Sequence, residues 1–200
     1  MSLEPYQKIV DSKLNRPGQL FYVIGASGVG KDSLLDYARV ALAEEAIIFA
    51  HRYITRPPEL QGENHVHLTE PEFMNRLNRG CFKFNWQSHG WQYALGREVD
   101  MWLAQGLNVV MNGSREYLQH ATGLHPTIRP ILITASEAHL RQRLVQRGRE
   151  SAEDIEERIA RAQVFSNLQH DNLTVINNDS SIESAGNTLV KTLLNRLDRS

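Results

Sequence analysis

The sequence contains a single cysteine, Cys81, among its 200 residues. One cysteine excludes an internal disulfide and any metal site built from several cysteines, and it is typical of proteins in a reducing compartment. No apolar run approaches the roughly 20 residues that a helix needs to cross a bilayer. The first 18 residues are too polar and too acidic for a signal peptide. We therefore expect a soluble, cytoplasmic protein that does not engage a membrane.

The sequence has almost no net charge, because 22 Lys and Arg residues are balanced by 23 Asp and Glu residues, which gives a formal charge of −1. A protein without a global positive field has no general attraction for nucleic acid. We therefore expect small-molecule partners and no nucleic acid, with positive charge acting locally. Residues 4–15 have the apolar spacing of a short amphipathic helix that packs on the core or on a second subunit, so the sequence also allows a homodimer.

The most informative segment is 20–33, where an apolar run enters a glycine-rich turn and then a helix-forming sequence. This order predicts a phosphate-binding loop whose backbone amides converge on polyphosphate oxygens. Lys31 adds a mobile positive charge for the β- and γ-phosphates of ATP, and we predict that it is catalytic. The alternative is an ordinary strand-to-helix turn whose glycines only close a tight corner. The predicted nucleotide-binding residues here are Gly25, Ala26, Ser27, Gly28, Val29, Gly30, Lys31, Asp32 and Ser33.

The residue after the lysine is Asp32, although phosphate-binding loops normally place Ser or Thr there to contact Mg²⁺. The hydroxyl is displaced by one position, to Ser33. A carboxylate beside triphosphate is repulsive unless a divalent cation lies between them, so we predict that Asp32 and Ser33 contact Mg²⁺. Asp32 could instead be a first-turn aspartate that the helix dipole stabilises.

Apolar runs alternate with helical periods along the chain, which predicts the three-layer α/β fold of P-loop NTPases with a five-stranded parallel core sheet. We expect one domain over 1–200, with core segments 18–50, 97–146 and 158–200. Two segments interrupt the alternation: 51–96, interpreted as an insertion that binds the acceptor, and 147–157, interpreted as a mobile lid. Ligands of such a sheet bind at the carboxyl ends of its strands, where the phosphate-binding loop also lies.

Arginines are concentrated around these two segments, and a transferred phosphoryl group needs such charge. We predict catalytic roles for Arg147 and Arg158 and a nucleotide contact for Arg149, because a lid must bring cations to ATP while excluding water. For any one of them the alternative is a solvated helix face. That alternative is the preferred interpretation of Arg141 and Arg161.

In the insertion, Arg52 and Arg56 follow a buried strand in an irregular segment, and we predict that both recognise phosphate on the acceptor. Tyr93 lies on a hairpin predicted at 82–95, where it could line the acceptor pocket or pack across the strands as aromatic residues commonly do. His65 and His67 lie two apart and could bind an anion. A metal is less favoured there, because no cysteine or acidic partner stands at ligand spacing.

Six short segments form a specific combination, although the loop alone would not. They are Gly-Ala-Ser-Gly-Val-Gly-Lys-Asp-Ser at 25–33, His-Arg-Tyr-Ile-Thr-Arg at 51–56, Gly-Glu-Asn-His at 62–65, Val-Val-Met-Asn-Gly-Ser-Arg at 109–115, Arg-Leu-Val-Gln-Arg-Gly-Arg at 143–149 and Asn-Asn-Asp at 177–179. Together they resemble the guanylate kinase-like fold over nearly the whole chain, and most closely the ribose 1,5-bisphosphate phosphokinase family of phosphonate metabolism.

This resemblance implies an enzyme that transfers the γ-phosphoryl group of ATP, with Mg²⁺, to the 1-phosphate of ribose 1,5-bisphosphate and gives 5-phosphoribosyl 1-diphosphate and ADP. The acceptor is already an ionised phosphate, so no side chain has to remove a proton, and the absence of an obvious catalytic base is expected. The resemblance further implies that Arg56 and Arg115 hold phosphates, that Asn112 and Ser114 bond to sugar hydroxyls, and that Asn178 meets adenine.

The sequence departs from guanylate kinases at the positions with which those enzymes bind their nucleotide. Glu59 stands near the second of two phosphate-binding arginines, Phe84 takes the place of a guanine-reading glutamate, and Asn112 takes that of an aspartate. A pocket without carboxylate acceptors cannot pair the N–H groups of guanine. Two alternatives stay open: a nucleoside monophosphate kinase of relaxed specificity, which Phe84 and Asn112 disfavour, and a non-catalytic guanylate kinase-like interaction module, which Lys31 disfavours.

Asn112 also ends the third predicted core strand, where many phosphate-loop enzymes place an aspartate that orients Mg²⁺. We expect Asp32 to supply locally the carboxylate that is missing at that position.

Overall fold

The computed structural model describes residues 16–57, 65–148, 151–164 and 168–195, apart from the side chains of residues 147 and 164. Several sequence features lie outside the described residues: the amphipathic segment 4–15, Glu59, the positions 62–64 and Arg149.

The described elements alternate as the sequence pattern predicts. The strands are β1 (Leu20–Gly25), β2 (Ile47–Phe49), β3 (Tyr53–Ile54), β4 (Val66–His67), β5 (Phe82–Ser88), β6 (Trp91–Gly96), β7 (Asn108–Asn112), β8 (Arg129–Thr134) and β9 (Thr174–Asn177). The helices are α1 (Lys31–Ala41), α2 (Glu70–Asn78), α3 (Glu98–Ala104), α4 (Leu118–Leu124), α5 (Glu137–Arg147), α6 (Ala152–Val164) and α7 (Ile182–Leu194).

The core sheet has five parallel strands in the order β2-β7-β1-β8-β9, which confirms the predicted fold class. β1 pairs with β8, β8 with β9, and β2 with β7, each in parallel. The apolar residues of β1 are essentially inaccessible to solvent, and all five residues of β7 are buried. Strands buried on both faces are typical of parallel sheets covered by helices, so their unbroken apolar runs were readable in the sequence.

Part of segment 51–96 forms a second sheet, in the order β4-β3-β6-β5. The predicted hairpin is present as β5 and β6, and its turn residues His89 and Gly90 have φ angles of 49° and 79°. Positive φ at both central residues matches the twist of a two-residue hairpin turn. β3 and β4 were not predicted, because strands of two residues are too short to show a period.

Several helices begin at residues that supply a capping oxygen. Thr69 accepts a hydrogen bond from the amide of Glu72 at 3.3 Å, and Ser136 accepts one from the amide of His139 at 3.4 Å. Thr and Ser are among the residues preferred at helix starts. α4 has no side-chain hydrogen bond at its start, and its buried residues are Leu118 and Ala121. No helix in the part of the chain that the structure describes has the length and apolar character of a membrane span.

The described residues form two compact units. One contains 16–20 and 45–111, and its second sheet and α2 pack around Leu68, Phe73, Phe82 and Ala94. The other contains 21–44 and 112–195, in which α1 packs on α7 and α5 packs on α6. The single domain over 1–200 and the bounds of its insertion and lid stay predictions.

Tyr22 on β1 holds the chain that leaves β7. Its hydroxyl donates to the carbonyl of Ser114 at 2.9 Å and accepts from the amide of Ser114 at 3.0 Å. The amide of Gly113 donates to the carbonyl of Val23 at 2.9 Å. A Cβ on Gly113 would lie only 2.2 Å from Cζ of Tyr22, so glycine is required for the chain to pass the ring. The polar segment 112–115 is thereby fixed against β1.

Tyr22→Phe tests this anchor, because Tyr22 is fully buried and its loss of a hydroxyl leaves two backbone groups of Ser114 without that partner. We expect the free energy of unfolding to fall by about 1–3 kcal/mol in urea denaturation. Tyr37→Phe is the matched control, since the Tyr37 hydroxyl bonds Asn187 at 2.9 Å on the surface. Equal effects of the two substitutions would contradict the anchoring role.

Candidate active site

The phosphate-binding loop has the backbone that anion binding requires. Gly28 and Gly30 have φ angles of 90° and 84°, as predicted, and Val29 between them is buried. Gly30 is the N-cap of α1 and carries no side chain over the first-turn amides, which are the groups that bind phosphate at helix N-termini. Gly25 is needed for a different reason: it lies within β1, and a Cβ there would come within 2.8 Å of the Ile133 carbonyl.

Lys31, Asp32 and Asn112 form a closed polar network at the start of α1. Lys31 Nζ donates to Asn112 Oδ1 at 2.7 Å and lies 3.3 Å from Asp32 Oδ1. Asn112 Nδ2 donates to the same carboxylate oxygen at 3.2 Å. The amide of Asn112 therefore serves a cation with its oxygen and an anion with its nitrogen. A carboxylate at position 112 would attract Lys31 but repel Asp32.

The three residues of this network differ strongly in their exposure to solvent. Asn112 is 7 % exposed, whereas the side chain of Asp32 is 64 % exposed and that of Lys31 is 15 % exposed. Ser33 is exposed one residue further along α1. The two predicted Mg²⁺ contacts thus present oxygen atoms to solvent on the first turn of the helix.

Asn178 and Arg143 hold the phosphate-binding loop from the side of β9. Asn178 Nδ2 donates to the Val29 carbonyl at 2.7 Å, and Arg143 donates to the same carbonyl at 3.2 Å and to the Asn178 carbonyl at 2.6 Å. Asn178 is 1 % exposed, and a Cβ on Gly30 would lie 2.5 Å from its Nδ2. These contacts fix the loop backbone at 29–30, and the contact of Asn178 with adenine stays a prediction.

Arg143 is the first residue of the segment 143–149, and the sequence analysis assigns no role to it. Its position one turn before Arg147 on α5 was the available indication, but the bond to Val29 spans 114 residues of chain. Local periodicity carries no information about such a partner.

The predicted lid arginines are distributed as follows. Arg158 on α6 donates a hydrogen bond to Ser27 Oγ in the phosphate-binding loop. Arg147 ends α5, and its side chain is not described. Arg141 bonds Glu137 on α5 and Glu156 on α6 and so links the two helices. Arg161 pairs along its own helix with Glu157 at 2.7 Å, as expected for a solvated face.

Ser114 and Arg115 follow Asn112 on the segment that Tyr22 anchors. Arg115 is partly buried, and this burial lowers the pKa of its guanidinium while Glu116 raises it. Arginine nevertheless keeps its charge in proteins, so a cation stands near the end of β7. The predicted sugar contacts of Asn112 and Ser114 and the phosphate contact of Arg115 stay predictions.

The unit that contains 45–111 carries the other predicted acceptor residues. The Arg52 guanidinium lies 5.0 Å from the centroid of the Tyr93 ring, and that ring stacks on Trp86. Trp86 and Tyr93 are directly opposite each other on β5 and β6. Tyr93 therefore packs across the strands, which was one of the two interpretations left open, and it also supports an arginine.

Arg56 is held through its backbone. His65 Nε2 and His67 Nδ1 both lie 3.1 Å from the Arg56 carbonyl oxygen, so both rings donate to it. Arg56 Nε is buried and has no hydrogen-bond partner among the described residues. A buried donor without a partner is unfavourable unless a ligand satisfies it, which fits an anion at this arginine.

Phe84, at the position of a guanine-reading glutamate, is fully buried. The Nζ atom of its neighbour Lys83 lies 5.5 Å from the centroid of the Phe84 ring. The side chain is part of the packed interior and offers no hydrogen-bond acceptor.

Curated relatives align with most of the chain, and each is named ribose 1,5-bisphosphate phosphokinase PhnN. The protein of Psychromonas ingrahamii is 60 % identical over 179 residues, which cover 90 % of this chain and 91 % of the relative. The protein of Thiobacillus denitrificans is 52 % identical, covering 88 % and 93 %, and that of Chromobacterium violaceum is 49 % identical, covering 90 % and 95 %. No protein-family model matches the sequence.

Among solved structures, guanylate kinase from Anaplasma phagocytophilum is similar with a TM-score of 0.63 and 15 % sequence identity, covering 89 % of this chain and 85 % of that one. This likeness confirms the guanylate kinase-like fold. The curated relatives show more than the fold, because their sequence identity extends over about nine-tenths of both chains. The protein is a phosphotransferase and not a non-catalytic module, and the chain belongs to the ribose 1,5-bisphosphate phosphokinase family.

Proposed function

We propose that the protein transfers the γ-phosphoryl group of ATP to the 1-phosphate of ribose 1,5-bisphosphate, with 5-phospho-α-D-ribosyl 1-diphosphate and ADP as products. The names of the curated relatives support this acceptor. Within the chain, the observation that carries the proposal is the phosphate-binding loop with Lys31 held by a neutral Asn112. Because Asn112 is uncharged, it adds no second carboxylate beside Lys31, which already lies 3.3 Å from Asp32 Oδ1.

The reaction needs positioning and charge stabilisation more than proton transfer. An oxygen of the acceptor 1-phosphate attacks the γ-phosphorus of ATP, and the bond from that phosphorus to the bridging oxygen breaks so that the oxygen leaves with ADP. The loop amides and Lys31 stabilise negative charge on the phosphates. Arg158, already in contact with Ser27 of the loop, supplies a second cation, and Arg147 is the third predicted catalytic residue.

Two residues disfavour a nucleobase as part of the acceptor. Phe84 is fully buried and has no acceptor for guanine N–H groups, and the amide of Asn112 is engaged by Lys31 and Asp32. A base whose polar groups lose their water without gaining partners binds weakly. A sugar that carries two phosphates suits the arginines at 52 and 56 better.

Asp32 and Ser33 fit a magnesium ion that arrives with ATP. Carboxylate and hydroxyl oxygens are ligands that Mg²⁺ prefers, and both side chains are exposed on the first turn of α1. Bound Mg²⁺ supplies charge neutralisation on the β- and γ-phosphate oxygens. Asn112 holds the Asp32 carboxylate through Nδ2 and thereby orients it without adding a competing negative charge.

The acceptor is tested by ADP release from ATP and Mg²⁺ in the presence of ribose 1,5-bisphosphate, GMP or neither. We expect kcat/KM with ribose 1,5-bisphosphate to exceed that with GMP by at least about 100-fold, because the site lacks base-pairing acceptors. Lys31→Ala should abolish release with either acceptor. A preference for GMP would contradict the proposal and favour a nucleoside monophosphate kinase.

The metal role is tested by Asp32→Asn. We expect the Mg²⁺ concentration that gives half-maximal activity to rise by about tenfold, because one charged ligand is removed. Asp36→Asn is the matched control, since Asp36 lies on the same helix and forms a surface pair with Arg39 at 2.7 Å. An unchanged Mg²⁺ dependence in the Asp32 variant would leave Asp32 as a helix-dipole residue only.

A further inference from the structure

Arg52, Tyr93 and Trp86 form a three-layer stack. The carbon centre of the Arg52 guanidinium lies 5.0 Å from the centroid of the Tyr93 ring. The Tyr93 and Trp86 rings are 5.6 Å apart and within 8° of parallel. Tyr93 is 6 % exposed and Trp86 is 8 % exposed, so the two rings are packed in place. The hairpin thus provides a rigid aromatic platform for one cation.

The main chain of Arg52 is fixed together with its side chain. The amide of Val66 donates to the Arg52 carbonyl at 2.9 Å, which ties the residue to β4. The next two residues form β3, where Ile54 pairs with Tyr93 itself. The backbone of Arg52 is therefore held by β4 and its guanidinium by Tyr93 on β6, so the arginine is oriented before any ligand arrives.

Stacking determines what such an arginine can bind. The N–H donors of a guanidinium lie in the plane of the group and point from its edge. That edge matches two oxygens of a phosphate in a bidentate contact. A pre-oriented cation also loses less conformational entropy on binding. The stack has the chemistry of a selective phosphate site.

Arg56 is supported in another way, by two histidines on its carbonyl and with a buried Nε that has no hydrogen-bond partner among the described residues. The chain therefore holds two supported arginines near β3, and the backbone carbonyl of each accepts a hydrogen bond from a residue of β4. An acceptor with two phosphate groups needs two such cations, one for the phosphate that reacts and one for the phosphate that does not.

We propose that Arg52 binds the phosphate of the acceptor that does not react, and that Trp86 and Tyr93 are positioning residues which make the enzyme selective for a doubly phosphorylated sugar. The assignment rests on the proposed function, and it leaves Arg56 for the reacting 1-phosphate. A contact to the distant phosphate is the same in the ground state and in the transition state, so it acts on acceptor affinity more than on kcat.

Two acceptors separate the roles of the arginines: ribose 1,5-bisphosphate and ribose 1-phosphate, which lacks the 5-phosphate. With Arg52→Gln we expect kcat/KM to fall about 30-fold for the bisphosphate and less than about threefold for ribose 1-phosphate, because one charge-assisted contact is lost only with the former. Arg56→Gln should lower both values. Equal losses on both acceptors in the Arg52 variant, or no loss on either, would overturn the assignment.

The platform is tested by Trp86→Leu and Trp86→Phe. Trp86→Leu removes the ring beneath Tyr93, and we expect KM for the bisphosphate to rise about fivefold with kcat nearly unchanged, while Trp86→Phe restores KM because it restores the stack. Trp91→Leu on the same hairpin is the control, since Trp91 is 38 % exposed. A loss of kcat on both acceptors without a change in KM would show a merely structural role.

A binding experiment keeps the inference independent of turnover. Calorimetric titration with ribose 5-phosphate should show binding to the unmodified protein and at least about tenfold weaker binding to Arg52→Gln. Equal binding to both proteins, or binding to neither, would overturn the Arg52 site. If neither acceptor is phosphorylated by the unmodified protein, the proposed function fails. The titration still tests whether Arg52 binds a sugar phosphate.

Discussion

The chemistry of the protein depends on one neutral side chain placed between a cation and an anion. Asn112 is 7 % exposed and bonds Lys31 with its oxygen and Asp32 with its nitrogen. Lys31 already lies 3.3 Å from Asp32 Oδ1, so a second carboxylate at position 112 would leave less of its positive charge for phosphate. Asp32 remains available to a metal only if its neighbour donates a hydrogen bond and adds no second carboxylate. An amide meets both requirements, and neither Asp nor Leu of similar size does.

The rest of the nucleotide-binding unit keeps this arrangement in place. Tyr22 and Gly113 fix the chain just after Asn112, through two hydrogen bonds to Ser114 and a close passage under the ring. Asn178 and Arg143 fix the loop just before Lys31, through the Val29 carbonyl. The loop amides and Lys31 are thus oriented before ATP binds. Such preorganisation lets charge stabilisation act without a reorganisation penalty at the moment of transfer.

The sequence was sufficient where the physical cause is local. A strand, a glycine turn and a helix start lie within 14 residues, so the phosphate-binding loop and the unusual Asp32 were visible. The predicted hairpin at 82–95 is also local, and the structure confirms it with a turn at His89 and Gly90. The resemblance in several short segments anticipated the family that the curated relatives show.

The remaining site contacts have causes that are distant along the chain. Asn178 meets Val29 across 149 residues, and Lys31 meets Asn112 across 81. The platform under Arg52 needs the register of β5 and β6 and the pairing of β3, which is only two residues long. No periodicity within a window reports such pairings. Side-chain partners across a sheet therefore had to come from the structure.

The central interaction is tested most directly by moving the carboxylate from position 32 to position 112. Asn112→Asp alone should lower kcat/KM at least about tenfold, because it pairs Lys31 with a charge and sets two carboxylates beside each other. Adding Asp32→Ser, which gives the usual order of hydroxyl after lysine and carboxylate at the strand end, should restore kcat/KM to within about threefold of the unmodified enzyme. Losses that simply multiply in the double variant would contradict the account, because they would show that Asp32 and Asn112 act independently.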